Sequence, residues 1–181
     1  MRYVVVGTSG AGKSTFAQAL ARQRNLSYVE LDSLFWGPDW TPVDPAEFAR
    51  RVATATRADV WVADGNYSAV RPALWGRATD IIWLNFGRVT VFSRILRRTI
   101  YRSITGEALW AGNKDSLRKA FFSRESILLW SVTTYTKNRV KYRSLQQHPE
   151  FSHLRWHELR SPSEAKEFLR MHSTKTDKVS A

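Results

Sequence analysis

Cysteine is absent from the chain, which excludes a disulfide scaffold and any thiolate metal site. Long apolar runs are missing as well. Lys13 or an arginine interrupts every stretch that approaches the length of a membrane-crossing helix. The first apolar run is too short for a signal peptide and leads straight into a glycine-rich loop, so the expectation is a cytoplasmic protein with no membrane association. There is no internal repeat and no low-complexity tract. Histidine is scarce, and His148, His153, His157 and His172 show no metal-ligand spacing; they read as structural. Acidic residues are thin in one region: residues 88–143 hold three Asp and Glu against thirteen Lys and Arg, so this segment carries +10 of the total +12. Such a segment can meet nucleotide phosphates, an anionic substrate or nucleic acid, or form a solvated helical surface.

What is present points to a folded enzyme. A length of 181 residues, with 43% hydrophobic residues and eight tryptophans, suits one domain with a full core. That domain is expected over 1–172, with a disordered tail at 173–181. The chain is organised around Gly7-Thr8-Ser9-Gly10-Ala11-Gly12-Lys13-Ser14-Thr15. This is G-x-x-x-x-G-K-S between a β-branched run, Arg2–Val6, and helix formers that continue to about Arg24, where Asn25 offers a stop. Glycines let backbone N–H groups close on phosphate oxygens, and the helix start adds positive potential. Lys13 then reaches the β- and γ-phosphates of a nucleoside triphosphate, and the Ser14 hydroxyl ligates Mg²⁺. No guanine-specifying Asn-Lys-x-Asp occurs, which leaves ATP as the default.

Further strands are expected at Leu26–Leu31, Val60–Ala63, Asp80–Leu84 and His153–Leu159. Helices begin at Pro45, capped by Asp44 and ending near Ala58, and at Ser68, Val89, about Ser126 and Ser163. Residues 33–42, rich in aromatics and turn formers, read as irregular, and residues 103–115 read as a break. Strands alternating with helices predict a doubly wound parallel α/β sheet. Ligands sit at the carboxyl edge of such a sheet, and the loop, Asp32 and Asp64 all fall there.

Phosphoryl transfer needs a cradle, a metal, positive charge and a group to orient the nucleophile. Asp32 is the first candidate for the last task, accepting a hydroxyl proton or holding Mg²⁺; it can equally cap a turn through Ser33. Asp64 stands where a metal-side carboxylate is expected, with Gly65 and Asn66 beside the ligand, although Asp-Gly-Asn is also a strong turn sequence. Of the arginines at 94, 97, 98 and 102, Arg94 and Arg98 are the candidates to close over the nucleotide. Arg118, Arg124, Arg139 and Arg143 are weaker ones. Trp36, Trp40 and Trp110 are candidates to line an acceptor pocket.

These residues together resemble the adenylate-kinase-like and shikimate-kinase-like branch of P-loop kinases. The closer resemblance is to adenylate kinase-related proteins labelled DNA topology modulation proteins. It rests on Gly7–Thr15, Leu31–Trp36, Trp61–Ser68, the arginine-bearing helix, Leu109–Asn113 and Ser126–Trp130. The resemblance implies a P-loop NTPase fold with a five-stranded parallel sheet of order 2-3-1-4-5, and Arg160–Pro162 near the adenine. It also implies a helical, arginine-rich lid at roughly 103–124. The chain departs from the adenylate kinase pattern Asp-Gly-Phe-Pro-Arg, having Asp64-Gly65-Asn66-Tyr67 there, and carries Asn85-Phe86-Gly87 where relatives often have an acidic residue and a proline. The first expectation is a kinase moving the γ-phosphoryl of ATP to a nucleotide or other small anionic acceptor. The second is a regulatory P-loop protein that binds nucleic acid through residues 88–143.

Overall fold

The computed structural model describes residues 1–105, 110–112 and 127–173. Most of the expected lid, including Arg118 and Arg124, and the tail beyond Ser173 lie outside the described residues.

Five strands form one parallel sheet: β1 (Arg2–Gly7), β2 (Ser27–Glu30), β3 (Trp61–Asp64), β4 (Asp80–Leu84) and β5 (Arg155–Leu159). Their order is β2-β3-β1-β4-β5, as the resemblance implied. The register pairs Val4 with both Ala63 and Ile81, so β1 is the central strand. Strand alternation then divides the core. Tyr3 and Val5 point to one face, against Phe16, Leu20, Ile95 and Phe168. Val4 and Val6 point to the other, against Phe48, Val52, Leu74 and Trp83. Burial on both faces explains why β1 reads as a continuous apolar run.

The first face is covered by α1 (Lys13–Arg24), α5 (Arg88–Thr105) and a C-terminal helix, α7 (Pro162–Met171). The second is covered by α3 (Pro45–Ala55) and the short α4 (Arg71–Arg77), while α6 (Ile127–Gln146) gives Tyr135 to the first core and Tyr142 to the second. Local signals explain several boundaries. Asn25 ends α1 in the left-handed conformation, its N–H bonding to the carbonyl of Ala21. The Asp44 carboxylate accepts from the N–H groups of Ala46 and Glu47, as an N-cap should.

Three expectations need correction. The segment after β2 is not irregular at its start, because α2 (Leu31–Phe35) begins directly where the strand ends. The break expected from residue 103 begins later, since α5 continues to Thr105. The last helix starts at Pro162 with Ser161 as its cap: Ser161 Oγ accepts from Glu164 N–H at 3.2 Å, and the Glu164 carboxylate takes the Arg160 N–H at 2.8 Å. The signal was present as Ser161-x-x-Glu164, two residues before the start read from the sequence.

At the amino edge of the sheet, opposite the glycine loop, buried Asp80 receives Arg155 Nη2 and His157 Nε2 at 2.9 Å and Thr79 Oγ1 at 2.7 Å. These bonds tie β5 to β4. Burial pushes the Asp80 carboxyl up, but hydrogen bonds from Arg155, His157 and Thr79 outweigh it and hold the group below the usual carboxylate range. Stability from a carboxylate depressed on folding is complete above its unfolded value and is lost as pH falls through the folded one. Asp80→Asn is therefore expected to lower stability at pH 7 by about 1–3 kcal/mol, with the gap to the parent narrowing below about pH 4. Urea unfolding of both proteins at pH 7 and pH 3 checks this; a gap unchanged at pH 3 would remove Asp80 ionisation as its cause.

Candidate active site

The loop from Gly7 to Gly12 turns back on itself because three of its residues can hold positive φ: Gly7 at 153°, Gly10 at 80° and Gly12 at 90°. At Gly10 space is also decisive, since a Cβ there would collide with the Ile95 side chain on α5. The Ala11 N–H bonds to the Thr8 carbonyl at 3.0 Å, closing the turn. Gly12 then stands as the N-cap of α1, so the unpartnered N–H groups of the helix's first turn face the loop's concavity. Ser9, Thr15 and the rest of Gly7–Thr15 lie where the motif put them.

Two outside groups hold this backbone. Arg94 Nη1 donates to the Ala11 carbonyl at 2.8 Å while its guanidinium lies 5.1 Å from the centre of the Phe86 ring. On the other side, Asn66 clasps Gly7: its Nδ2 donates to the Gly7 carbonyl at 2.7 Å and its Oδ1 accepts from the Gly7 N–H at 3.4 Å. Buried Tyr142 on α6 donates its hydroxyl to the same Asn66 Oδ1 at 2.8 Å. Arg94, expected to close over the nucleotide, is hydrogen-bonded to the backbone of the loop. So is Asn66.

The carboxylates converge from the next two strands. β3 ends on Asp64, whose Oδ2 accepts from Ser14 Oγ at 2.7 Å and whose Oδ1 accepts from Tyr28 OH at 3.0 Å. Asp32, on the first turn of α2, accepts at Oδ1 from the Tyr67 hydroxyl. Each carboxylate thus has one oxygen tied by a tyrosine. Ser33 Oγ bonds to the Glu30 carbonyl at 2.7 Å, so it is Ser33 that closes the local turn, and the Asp32 side chain is used elsewhere. Tyr67 is itself fixed by packing against Phe35 and Phe48, with ring centres 4.6 and 5.0 Å away. Trp36 and Trp40 continue this aromatic wall.

The charges act on one another. Burial pushes the Lys13 ammonium below its ordinary value and the Arg98 charge adds to this, while Asp64 and Asp32 pull it back up. Burial raises the Asp64 carboxyl against hydrogen bonds from Ser14 and Tyr28 and the charge of Lys13. Arg160 sits just past the carboxyl end of β5, exposed, with Nη2 at 2.9 Å from the Glu158 carboxylate. Arg139 is committed to Tyr135, and Arg88 to Tyr135 and Thr136. The histidines make structural contacts: His157 with Asp80, His153 with the Trp75 carbonyl, His172 with the Phe168 carbonyl and His148 with the Glu150 N–H.

A hydroxyl and a carboxylate within hydrogen-bond distance suit a hard cation such as Mg²⁺, which binds through one or two carboxylates and completes its shell with phosphate and water. No cluster of three or more His, Cys, Asp or Glu with metal-ligand geometry occurs among the described residues. Ser14 and Asp64 are hydrogen-bonded to each other, and Asp32 is separately engaged by Tyr67. Tyr28 and Tyr142 were not singled out from the sequence. Each lies inside a regular element with nothing in the local pattern to mark its hydroxyl.

Among solved structures, the chain is similar to a shikimate kinase from Bacteroides thetaiotaomicron, with a TM-score of 0.54 at 13% identity over 94% of this chain and 95% of that one. It is similar to a sugar kinase from Janibacter sp., with a TM-score of 0.52 at 18% identity over 96% and 98%. A shikimate kinase from Aquifex aeolicus gives a TM-score of 0.53 at 13% identity over 94% and 93%. No protein-family model matches the chain, and no curated protein matches it in sequence. At these identities the likeness shows the fold, which is that of small P-loop kinases. It does not reach the adenylate kinase-related family, and it lends no support to nucleic-acid binding through residues 88–143.

If Asn66 holds the loop, its loss strands Gly7 and Tyr142 together. Asn66→Ala is expected to cost about 2–3 kcal/mol, and Tyr142→Phe, which removes a single bond, about 1 kcal/mol. Urea unfolding measures both. Equal effects, or none, would take the clasp out of the account of the loop.

Proposed function

We propose that the chain is an ATP-dependent kinase that transfers the γ-phosphoryl group to a small anionic acceptor bearing a hydroxyl. The observation that carries this reading is the Ser14–Asp64 pair at the mouth of the positive-φ glycine loop, with Asp32 one strand away and its second oxygen without a hydrogen-bond partner among the described residues. ATP phosphates would lie on the loop N–H groups and Lys13, with Arg98 nearby. Ser14 and Asp64 would hold Mg²⁺, which when bound neutralises charge on the β- and γ-oxygens. Arg160 remains the candidate for the adenine side.

In the transfer itself, an acceptor hydroxyl would give its proton to Asp32 as its oxygen bonds to the γ-phosphorus. The bond from that phosphorus to the β–γ bridging oxygen breaks, and ADP leaves with the bridging oxygen. Tyr67 ties the other oxygen of Asp32, so the carboxylate presents one acceptor in a fixed direction. Lys13 supplies positive charge to the migrating group. The resemblance to the adenylate kinase-related proteins fits this chemistry, and we place the chain beside them as cytoplasmic phosphotransferases. The absence of Asp-Gly-Phe-Pro-Arg favours a hydroxyl acceptor over the phosphate of AMP.

ATP consumption with Mg²⁺ against pooled hydroxy acids, sugar phosphates, nucleosides and nucleotides tests the proposal. Acceptor-stimulated turnover is expected, falling about 10²–10³-fold in Lys13→Ala and about 10²–10⁴-fold in Asp32→Asn with ATP affinity kept. Tyr67→Phe is expected to lower kcat about tenfold. ATP binding without stimulation by any pool would overturn the kinase reading.

A further inference from the structure

Sheet register brings Tyr28 to the site. Tyr28 on β2 pairs with Val62 on β3, and Glu30 pairs with Asp64. Val62 and Asp64 are two residues apart, so their side chains leave the same face of the sheet. Neighbouring strands lie about 4.8 Å apart, and a tyrosine spans that gap to the diagonal position with length to spare. The Tyr28 ring is half-buried against the core on the α1 side, and its hydroxyl donates to Asp64 Oδ1 at 3.0 Å. Ser14 Oγ donates to Oδ2 of the same carboxylate at 2.7 Å. Asp64 itself is buried.

The two bonds do different things. Ser14 belongs to the first turn of α1, directly after the glycine loop, so a cation held beside it meets Asp64 at Oδ2. The bond from Tyr28 takes a lone pair of Oδ1 and fixes the rotation of the carboxylate about its own axis. Turning the group until both oxygens face one cation would break that bond, and a buried oxygen has little water to replace a lost donor. Asp64 therefore has one oxygen to offer next to Ser14. Asp32 makes a useful contrast: it too has a tyrosine on Oδ1, but no serine on its other oxygen among the described residues.

We propose that Tyr28 is a positioning residue whose hydroxyl confines Asp64 to single-oxygen engagement, and that this sets the preference of the nucleotide site for Mg²⁺ over the larger Ca²⁺. Mg²⁺ keeps a compact octahedral shell with one or two carboxylates, whereas Ca²⁺ accepts bidentate carboxylates and a larger, looser shell. Donors that orient a ligating carboxylate from outside tune the affinity of the ion it holds. The inference rests on the reading of Ser14 and Asp64 as the residues that hold the cation, and it concerns the choice of ion rather than the transfer step.

Calorimetric titration with the non-hydrolysable analogue AMP-PNP tests this in the parent, Tyr28→Phe and Tyr67→Phe, each with saturating Mg²⁺, with saturating Ca²⁺ and with EDTA. The parent is expected to bind the analogue more tightly with Mg²⁺ than with Ca²⁺. In Tyr28→Phe the affinity with Mg²⁺ is expected to fall about tenfold, while affinity with Ca²⁺ holds or rises and affinity in EDTA stays the same. Tyr67→Phe is expected to keep the parent's ratio of the two ions. A purely structural role for Tyr28 would weaken all three conditions together, and that result overturns the proposal. So does an unchanged ratio in Tyr28→Phe, or an equal fall in Tyr67→Phe. A parent that binds no AMP-PNP, or binds it equally well with both ions, overturns it without any variant, which keeps the test open should Tyr28→Phe not fold. Failure of the kinase reading is distinct. A ratio shifted in Tyr28→Phe without acceptor-stimulated turnover would end that reading and leave the role of Tyr28 standing; turnover with an unshifted ratio would do the reverse.

Discussion

A backbone that must leave its N–H groups open to an anion cannot stabilise itself with those groups. This constraint governs the glycine loop, and much of the molecule answers it from outside. Arg94 reaches from α5 to the Ala11 carbonyl, and Asn66 reaches from the end of β3 to both polar groups of Gly7. Tyr142 in turn fixes Asn66. Three separate elements are thereby bound to one turn, and Ile95 fills the space that any side chain at Gly10 would need. The loop is held by its neighbours, and a preformed cradle loses little ordering entropy when a ligand arrives.

The same logic runs through the charges. Lys13 is pushed down and Asp64 is pushed up, each chiefly by burial, so both ionised forms are under-solvated together. A triphosphate with a divalent cation supplies the missing counter-charges to both at once. Tyr28 and Tyr67 keep their hydroxyl protons, because burial and the adjoining carboxylates raise them far above any working pH. They therefore act as fixed donors, one to Asp64 and one to Asp32. The two carboxylates differ in what meets their second oxygen: Ser14 for Asp64, and no hydrogen-bond partner among the described residues for Asp32.

The sheet was legible because its signals are local. Continuous apolar runs, a glycine loop between strand and helix, and capping residues such as Asp44 each determine their own few residues. Asp64 was legible for the same reason, standing at the end of an apolar strand. The roles of Asn66 and Arg94 were not, since both act on backbone that lies 59 and 83 residues away in sequence. Spacing marks a residue as near a ligand edge; it does not say whether the side chain faces the ligand or the loop that holds it. Ser161 is a simpler case, since Ser161-x-x-Glu164 is a local capping pair that sets the helix start two residues before Ser163.

Net charge illustrates how far composition can reach. The +10 of residues 88–143 suggested a surface for polyanions, and binding of that kind draws on many cations facing outward together. Several of these arginines are instead engaged within the fold. Arg94 holds the loop, Arg88 reaches across to Thr136, and Arg139 lies on Tyr135. A count of charges overstates an exposed helix face, because the energetic question for each cation is which group it can reach.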